Sequence, residues 1–151
     1  MVPTFTTFMP QALDEARAAA ARGEVPVGAV VVSPGGEILG AAGNETRALN
    51  DPSAHAEVLA IRRACARAGA ERLNGCTIWV TLEPCPMCAA VIAHARLARV
   101  CYGASDPKSG GIETGPRLFS HPNLHHVPEV VAGLDADTCG SLLRKFFETR
   151  R

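Results

Sequence analysis

Residues 27–32 read Val-Gly-Ala-Val-Val-Val, an apolar run of strand length, and polarity resumes at Ser33-Pro-Gly-Gly36. That tetrapeptide is a turn signal, and the run at 37–40 behind it completes a predicted β-hairpin. Upstream, the Ala-rich stretch 11–22 predicts a helix. Downstream, 54–68 is helix-forming and stops at Gly69, with Asp51-Pro52 placed as an N-cap followed by proline at the first helical position. Residues 77–82 and 99–103 are short β-type runs, separated by a helix that opens at 84–87 and continues through 88–96. Strands joined through helices predict parallel crossovers in a sheet covered on both faces. Beyond residue 103 the pattern is less regular until a final helix, where Asp135 is placed as the cap. On that helix Leu142, Leu143, Phe146 and Phe147 fall on a stripe that ordinarily faces a core. The whole is an α/β chain with a mixed sheet, and its helix starts follow strand ends, where open α/β sheets bind ligands.

Composition narrows the class. With 151 residues, 47% of them hydrophobic, and no Gly-, Ser- or Pro-rich spacer, 1–151 is expected to be one domain. No signal-peptide order opens the chain, and no stretch approaches the ~20 apolar residues of a membrane span, so a cytoplasmic protein without membrane contact is expected. Of six cysteines only Cys85 and Cys88 have a ligand spacing, which fits a reducing compartment. The formal net charge of zero excludes a strongly basic nucleic-acid binder. Any polyanion contact must be local, and no DNA partner is expected.

Chemistry concentrates in two strings, His55-Ala56-Glu57 and Pro84-Cys85-Pro86-Met87-Cys88. One His and two Cys are a ligand set for catalytic zinc, which keeps three protein ligands and a water whose pKa falls to roughly 7. Cys85 and Cys88, three apart on a helix, share a face. His55 and Glu57, two apart, point about 200° from each other around a helix, so they can share a site only where it faces the open helix end. Unpaired amides at helix starts favour thiolate, and both starts are expected to converge on the metal. The competing assignment is a structural zinc knuckle closed by a fourth side chain. Cys65 and His94 are badly placed for that, and Cys76 lies at the far end of its strand. Cys101 and Cys139 remain as candidates in apolar settings where a lone Cys behaves as a small hydrophobe. Glu57 reads as the group that moves protons to a ring nitrogen and to a departing amine.

The two strings match the H-x-E, P-C-x-x-C signature of zinc base deaminases. From about Phe8 to Arg151 the chain further resembles the bacterial tRNA-specific adenosine deaminases of the cytidine deaminase superfamily. The likeness is carried by Glu24-Val-Pro-Val-Gly-Ala29, Gly43-Asn44, Asp51-Pro-Ser-Ala-His-Ala-Glu57, Thr81-Leu-Glu-Pro-Cys85, Tyr102-Gly-Ala-Ser-Asp106 and Phe146-Phe-Glu-Thr-Arg-Arg151. This resemblance implies a cytidine deaminase-like αβα sandwich with a five-stranded mixed sheet, a homodimer, and conversion of adenosine to inosine at the wobble position of a tRNA anticodon stem-loop. It further implies one Zn2+ per chain on His55, Cys85 and Cys88, Glu57 as proton shuttle, and Asn44 as a hydrogen-bond partner of the flipped-out base. Asp106, Lys108, Phe147 and Arg150 would lie along the RNA, where stacking and cations act. Pro86 is also common in free guanine and cytosine deaminases, which keeps a free-base deaminase as an alternative. A non-catalytic, zinc-stabilised RNA-binding subunit is the alternative of another class, and an intact Glu57 speaks against it.

Overall fold

Every position of the strand at Gly28–Val32 is buried, because it lies inside a sheet that carries helices on both faces. The computed structural model describes residues 6–150. In chain order the elements are α1 (Met9–Ala21), β1 (Gly28–Val32), β2 (Ile38–Gly43), α2 (Ala56–Ala68) and β3 (Thr77–Leu82). They continue as α3 (Pro86–His94), β4 (Arg99–Ala104), a 3-10 turn (Leu118–Ser120), β5 (Glu129–Val131) and α4 (Ala136–Glu148). The five strands are ordered β2-β1-β3-β4-β5. β1 runs antiparallel to β2 and β3, whereas β3, β4 and β5 are parallel to one another.

The period of two along the strands divides the interior into two cores. Ala29, Val31, Ile78, Val80, Val100 and Tyr102 pack with α2 and α3 on one face. Val30, Val32, Trp79 and Cys101 pack on the other with Met9, Ala12 and Leu13 of α1 and Cys139 of α4. The result is a three-layer αβα sandwich around a mixed sheet. Close seating of α1 depends on Gly28, since a Cβ there would lie 2.0 Å from the Ala12 carbonyl oxygen. Among the described residues no helix is long and apolar enough to cross a membrane.

Several sequence expectations shift. Asp51 does not cap α2; its Oδ1 accepts from the Ser53 amide at 2.9 Å and the Ser53 hydroxyl at 2.7 Å, closing a turn around Pro52. The helix starts at Ala56 and its N-cap is His55, while Gly69 ends it in the left-handed region at φ 67° as expected. The helix of the second string starts at Pro86, with Cys85 as N-cap, and ends at His94. β5 lies inside the stretch that reads as irregular. Asp135 does occupy the N-cap position of α4, but with φ 54° its side chain makes no capping bond. On the stripe of α4, Phe146 is buried, Leu142 and Leu143 are half-buried, and Phe147 is 52% exposed.

Candidate active site

Two helices begin on residues whose side chains meet. His55 precedes α2 with extended backbone (φ −71°, ψ 155°), and Cys85 precedes α3 in nearly the same conformation (φ −69°, ψ 170°). Each contributes its carbonyl to the first helical hydrogen bond, to Leu59 and Ala89 respectively, while its side chain is free to point past the helix end. Cys88 follows one turn into α3. The His55 Nδ1 lies 3.7 Å from Cys85 Sγ and 3.5 Å from Cys88 Sγ. His55 stands outside the helix and Glu57 inside its first turn, which answers the geometric demand that their two-residue spacing raised.

Ligand atoms of these three residues lie within 4.8 Å of one another, a group that can hold a metal ion, and among the described residues no other trio of His, Cys, Asp or Glu does so. The remaining knuckle candidates are elsewhere. Cys101 and Cys139 belong to the core on the opposite face of the sheet. The electrostatics of the trio suit a cation. A hydrogen bond from the Cys88 thiol, opposed by burial and aided by His55, lowers Cys85 to about 4. The same bond, with burial, pushes the Cys88 thiol up. His55 is raised by its hydrogen bond with Cys85.

A cavity of about 260 Å³ opens above the trio, small beside the roughly 300–1,000 Å³ of drug-sized sites. Its lining joins the apolar Val25, Val27, Ala56 and Leu82 to His55, Glu57, Glu83 and Cys85 and to the polar Asn44, Thr46, Asp106 and Ser109. Glu57 is 4% exposed, and burial raises its carboxyl to about 7. A carboxyl with that pKa exchanges a proton near neutral pH. Asn44 is buried and offers its amide to the cavity, with only a long 3.5 Å contact from Nδ2 to the Thr46 hydroxyl.

Loops forming the two sides of this cavity are each tied to a buried carboxylate. Glu24 accepts from the Arg47 amide at 3.2 Å and the Ala48 amide at 2.8 Å, fixing the segment that follows Asn44. Glu83 accepts from the amides of Asp106, Ile112, Glu113 and Thr114 at 2.9–3.1 Å and from the Thr114 hydroxyl. Burial raises the Glu83 carboxyl, yet these bonds prevail and hold it below the ordinary value. Between them Thr81 takes the Gly28 amide on its hydroxyl at 3.1 Å, joining β1 to β3 beside the cavity. Sequence reasoning missed the roles of all three residues, whose partners lie 23 to 53 positions away. The strings Glu24-Val-Pro-Val and Thr81-Leu-Glu-Pro were singled out, and a polar residue inside each apolar run was the available signal.

Other sequence candidates spread outward. Asp106 lines the cavity, with Oδ1 accepting from the Lys108 and Ser109 amides. Lys108 is exposed next to it. Phe147 is in the last turn of α4 and Arg150 two residues beyond the helix, both outside the cavity lining, and the Arg150 guanidinium stacks 4.0 Å from the centre of the Phe146 ring. Arg151 lies outside the described residues. His121 and His126 donate to the backbone carbonyls of Pro116 and Leu97, at 2.9 and 2.6 Å.

The family model described as MafB19-like deaminase matches residues 5–151. The tRNA-specific adenosine deaminase of Agrobacterium fabrum is 52% identical over 146 residues, 97% of this chain and 95% of that protein. The chain belongs to the MafB19-like deaminases, in the branch of the tRNA-specific adenosine deaminases. A structure solved in a study of A-to-I editing by tRNA:A34 deaminases at the wobble position of transfer RNA superposes on this deaminase with TM-score 0.88 and 52% identity. It covers 90% of this chain and 98% of that one. Guanine deaminase from Bacillus subtilis is similar at TM-score 0.64 and 30% identity, over 98% of this deaminase and 94% of that chain.

Proposed function

We propose that this deaminase converts adenosine to inosine at the wobble position of a tRNA anticodon, with one zinc ion held by His55, Cys85 and Cys88. The observation that carries the reading is the buried Glu57 carboxyl beside that trio, in the lining of a cavity of about 260 Å³. Two thiol sulfurs and an imidazole nitrogen are a donor set that suits zinc, and three protein ligands are the number found in catalytic sites. When bound, zinc supplies a Lewis acid that makes water nucleophilic near neutral pH.

Overall, water replaces the 6-amino group of adenosine and ammonia leaves. Glu57 takes a proton from the attacking water, passes it to the ring nitrogen beside the reacting carbon, and then serves the departing amine. Burial suits it to this, because a carboxyl near 7 is both acid and base at working pH. The base must leave its stack to reach Glu57, and the apolar side chains of Val25, Val27 and Leu82 in the cavity lining accept its flat faces. Asn44 reads the purine edge with a donor and an acceptor. Asp106, Lys108, Phe147 and Arg150 meet the flanking RNA, through the free oxygen of Asp106, a cation at Lys108, an exposed ring at Phe147 and a cation at Arg150.

The identity of 52% to a protein named for tRNA adenosine supports this substrate over guanine, for which the similar structure is only 30% identical. Incubation of purified protein with an anticodon stem-loop, alongside free guanine, cytosine and adenosine, tests it. Inosine formed only in the RNA is the expected result, whereas rapid turnover of guanine with an untouched stem-loop overturns the reading. Elemental analysis should find one zinc per chain. The family resemblance also supports a homodimer, which sedimentation equilibrium tests, and a cytoplasmic location, which cell fractionation tests.

A further inference from the structure

We propose that Glu83 is a positioning residue that sets substrate affinity by templating the loop 106–114, which supplies Asp106 and Ser109 to the cavity edge. This rests on the reading above and deepens it. Glu83 follows β3, is 2% exposed, and turns both carboxylate oxygens into the loop. Oε1 takes the Asp106 amide at 3.1 Å, where the loop begins. Oε2 takes the amides of Ile112, Glu113 and Thr114 at 3.1, 2.9 and 3.0 Å, where it closes. The Thr114 hydroxyl lies 3.0 Å from Oε2 and 2.8 Å from the Asp106 carbonyl, linking the two ends.

An acceptor without donors of its own thus stands where a ring of backbone N–H groups converges, the geometry of an anion nest filled by the protein's own side chain. The wrap is close. A Cβ at Gly110 would lie 2.6 Å from the Glu83 carboxyl carbon, and one at Gly111 2.5 Å from the Pro86 nitrogen. Glutamine at position 83 would keep the shape but replace one acceptor with an NH2 group facing those donors, leaving buried amides without partners. The loop would then have no fixed path, and the groups it presents would meet the substrate in many arrangements. Glu57 and Cys88 sit inside α2 and α3, and His55 and Cys85 are their N-caps, so the trio is held by the helix starts as well as by its contacts with the loop.

The test is a steady-state comparison of wild type and Glu83→Gln on the anticodon stem-loop, with metal content measured on both. Loss of about one good hydrogen bond's worth of substrate positioning corresponds to a KM raised about tenfold, with kcat within about twofold and zinc per chain unchanged. Both roles lower thermal stability, but a purely structural residue would otherwise lower only the active fraction, hence apparent kcat, and leave KM alone; an unchanged KM overturns the proposal. Should Glu83→Gln fail to fold, Thr114→Val removes a single link of the ring. A KM rise of about threefold supports the proposal and an unchanged KM refutes it. Wild type separates the two ideas. If it turns over guanine and not the stem-loop, the proposed substrate fails, and the variant's KM for guanine then decides the role of Glu83 by the same criterion.

Discussion

At residue scale the site combines one carboxyl kept from water with another saturated by amides. Glu57 has burial as its main influence and is raised to about 7, while Glu83, equally hidden, is held below 4.5 by backbone N–H groups that overcome the effect of burial. Replacement of Glu57 by Gln should therefore retain metal and lower turnover by about 10²–10⁴-fold, as read by inosine formation beside elemental analysis. The lowered pKa of Glu83 has a stability consequence whose sign is fixed. Its contribution is present above the unfolded value of 4.5 and is lost as pH falls through the folded value. The melting-temperature gap between wild type and Glu83→Gln should accordingly be widest at neutral pH and narrow below 4.5, and a gap that widens in acid would contradict this. The grouping of His55, Cys85 and Cys88 was legible because two short strings concentrate ligand-type residues, with the cysteines three apart. Glu24, Thr81 and Glu83 were not, because a side chain that gathers amides from a distant loop leaves no local pattern.

At the scale of elements, helix starts decide the geometry. The sequence placed the start of α2 four residues early, since Asp51-Pro52 has the chemistry of a cap, but the Asp51 carboxylate is occupied by Ser53. His55 takes the N-cap position without a side-chain capping bond, which leaves its ring for the site. The three-residue β5 was hidden for a different reason, being too short to show alternation. Helix seating on strands makes a quantitative prediction. Gly28→Ala would set a methyl 2.0 Å from the Ala12 carbonyl and 2.5 Å from the Ala16 nitrogen, both backbone atoms that cannot swing aside. Urea denaturation should show a loss of about 2–3 kcal/mol, the upper part of the usual overpacking range.

For the molecule as a whole, the α/β class and the crossover from β3 to β4 followed from alternation, but the central place of β1 did not. Strand order depends on which edges pair, and a hairpin reads the same at an edge or in the middle of a sheet. Net charge is likewise a whole-molecule quantity. At zero, it supplies no general pull on a polyanion, so any such attraction must be local. Lys108→Ala should reduce the slope of log Kd against log salt for the stem-loop by about 0.7, the share of one phosphate contact on a single strand.

The antiparallel hairpin of β1 and β2 has a practical corollary. Val27 and Asn44 stand at its open end beside the cavity, whereas the exposed turn at 33–36 lies at the other end, about 16 Å away along the five residues of β1. That turn is a ready attachment point for surface immobilisation or a fluorophore. A short flexible peptide inserted between Gly35 and Gly36 should leave kcat and KM on the stem-loop as they are, so an immobilised form of the protein would report the behaviour of the free one.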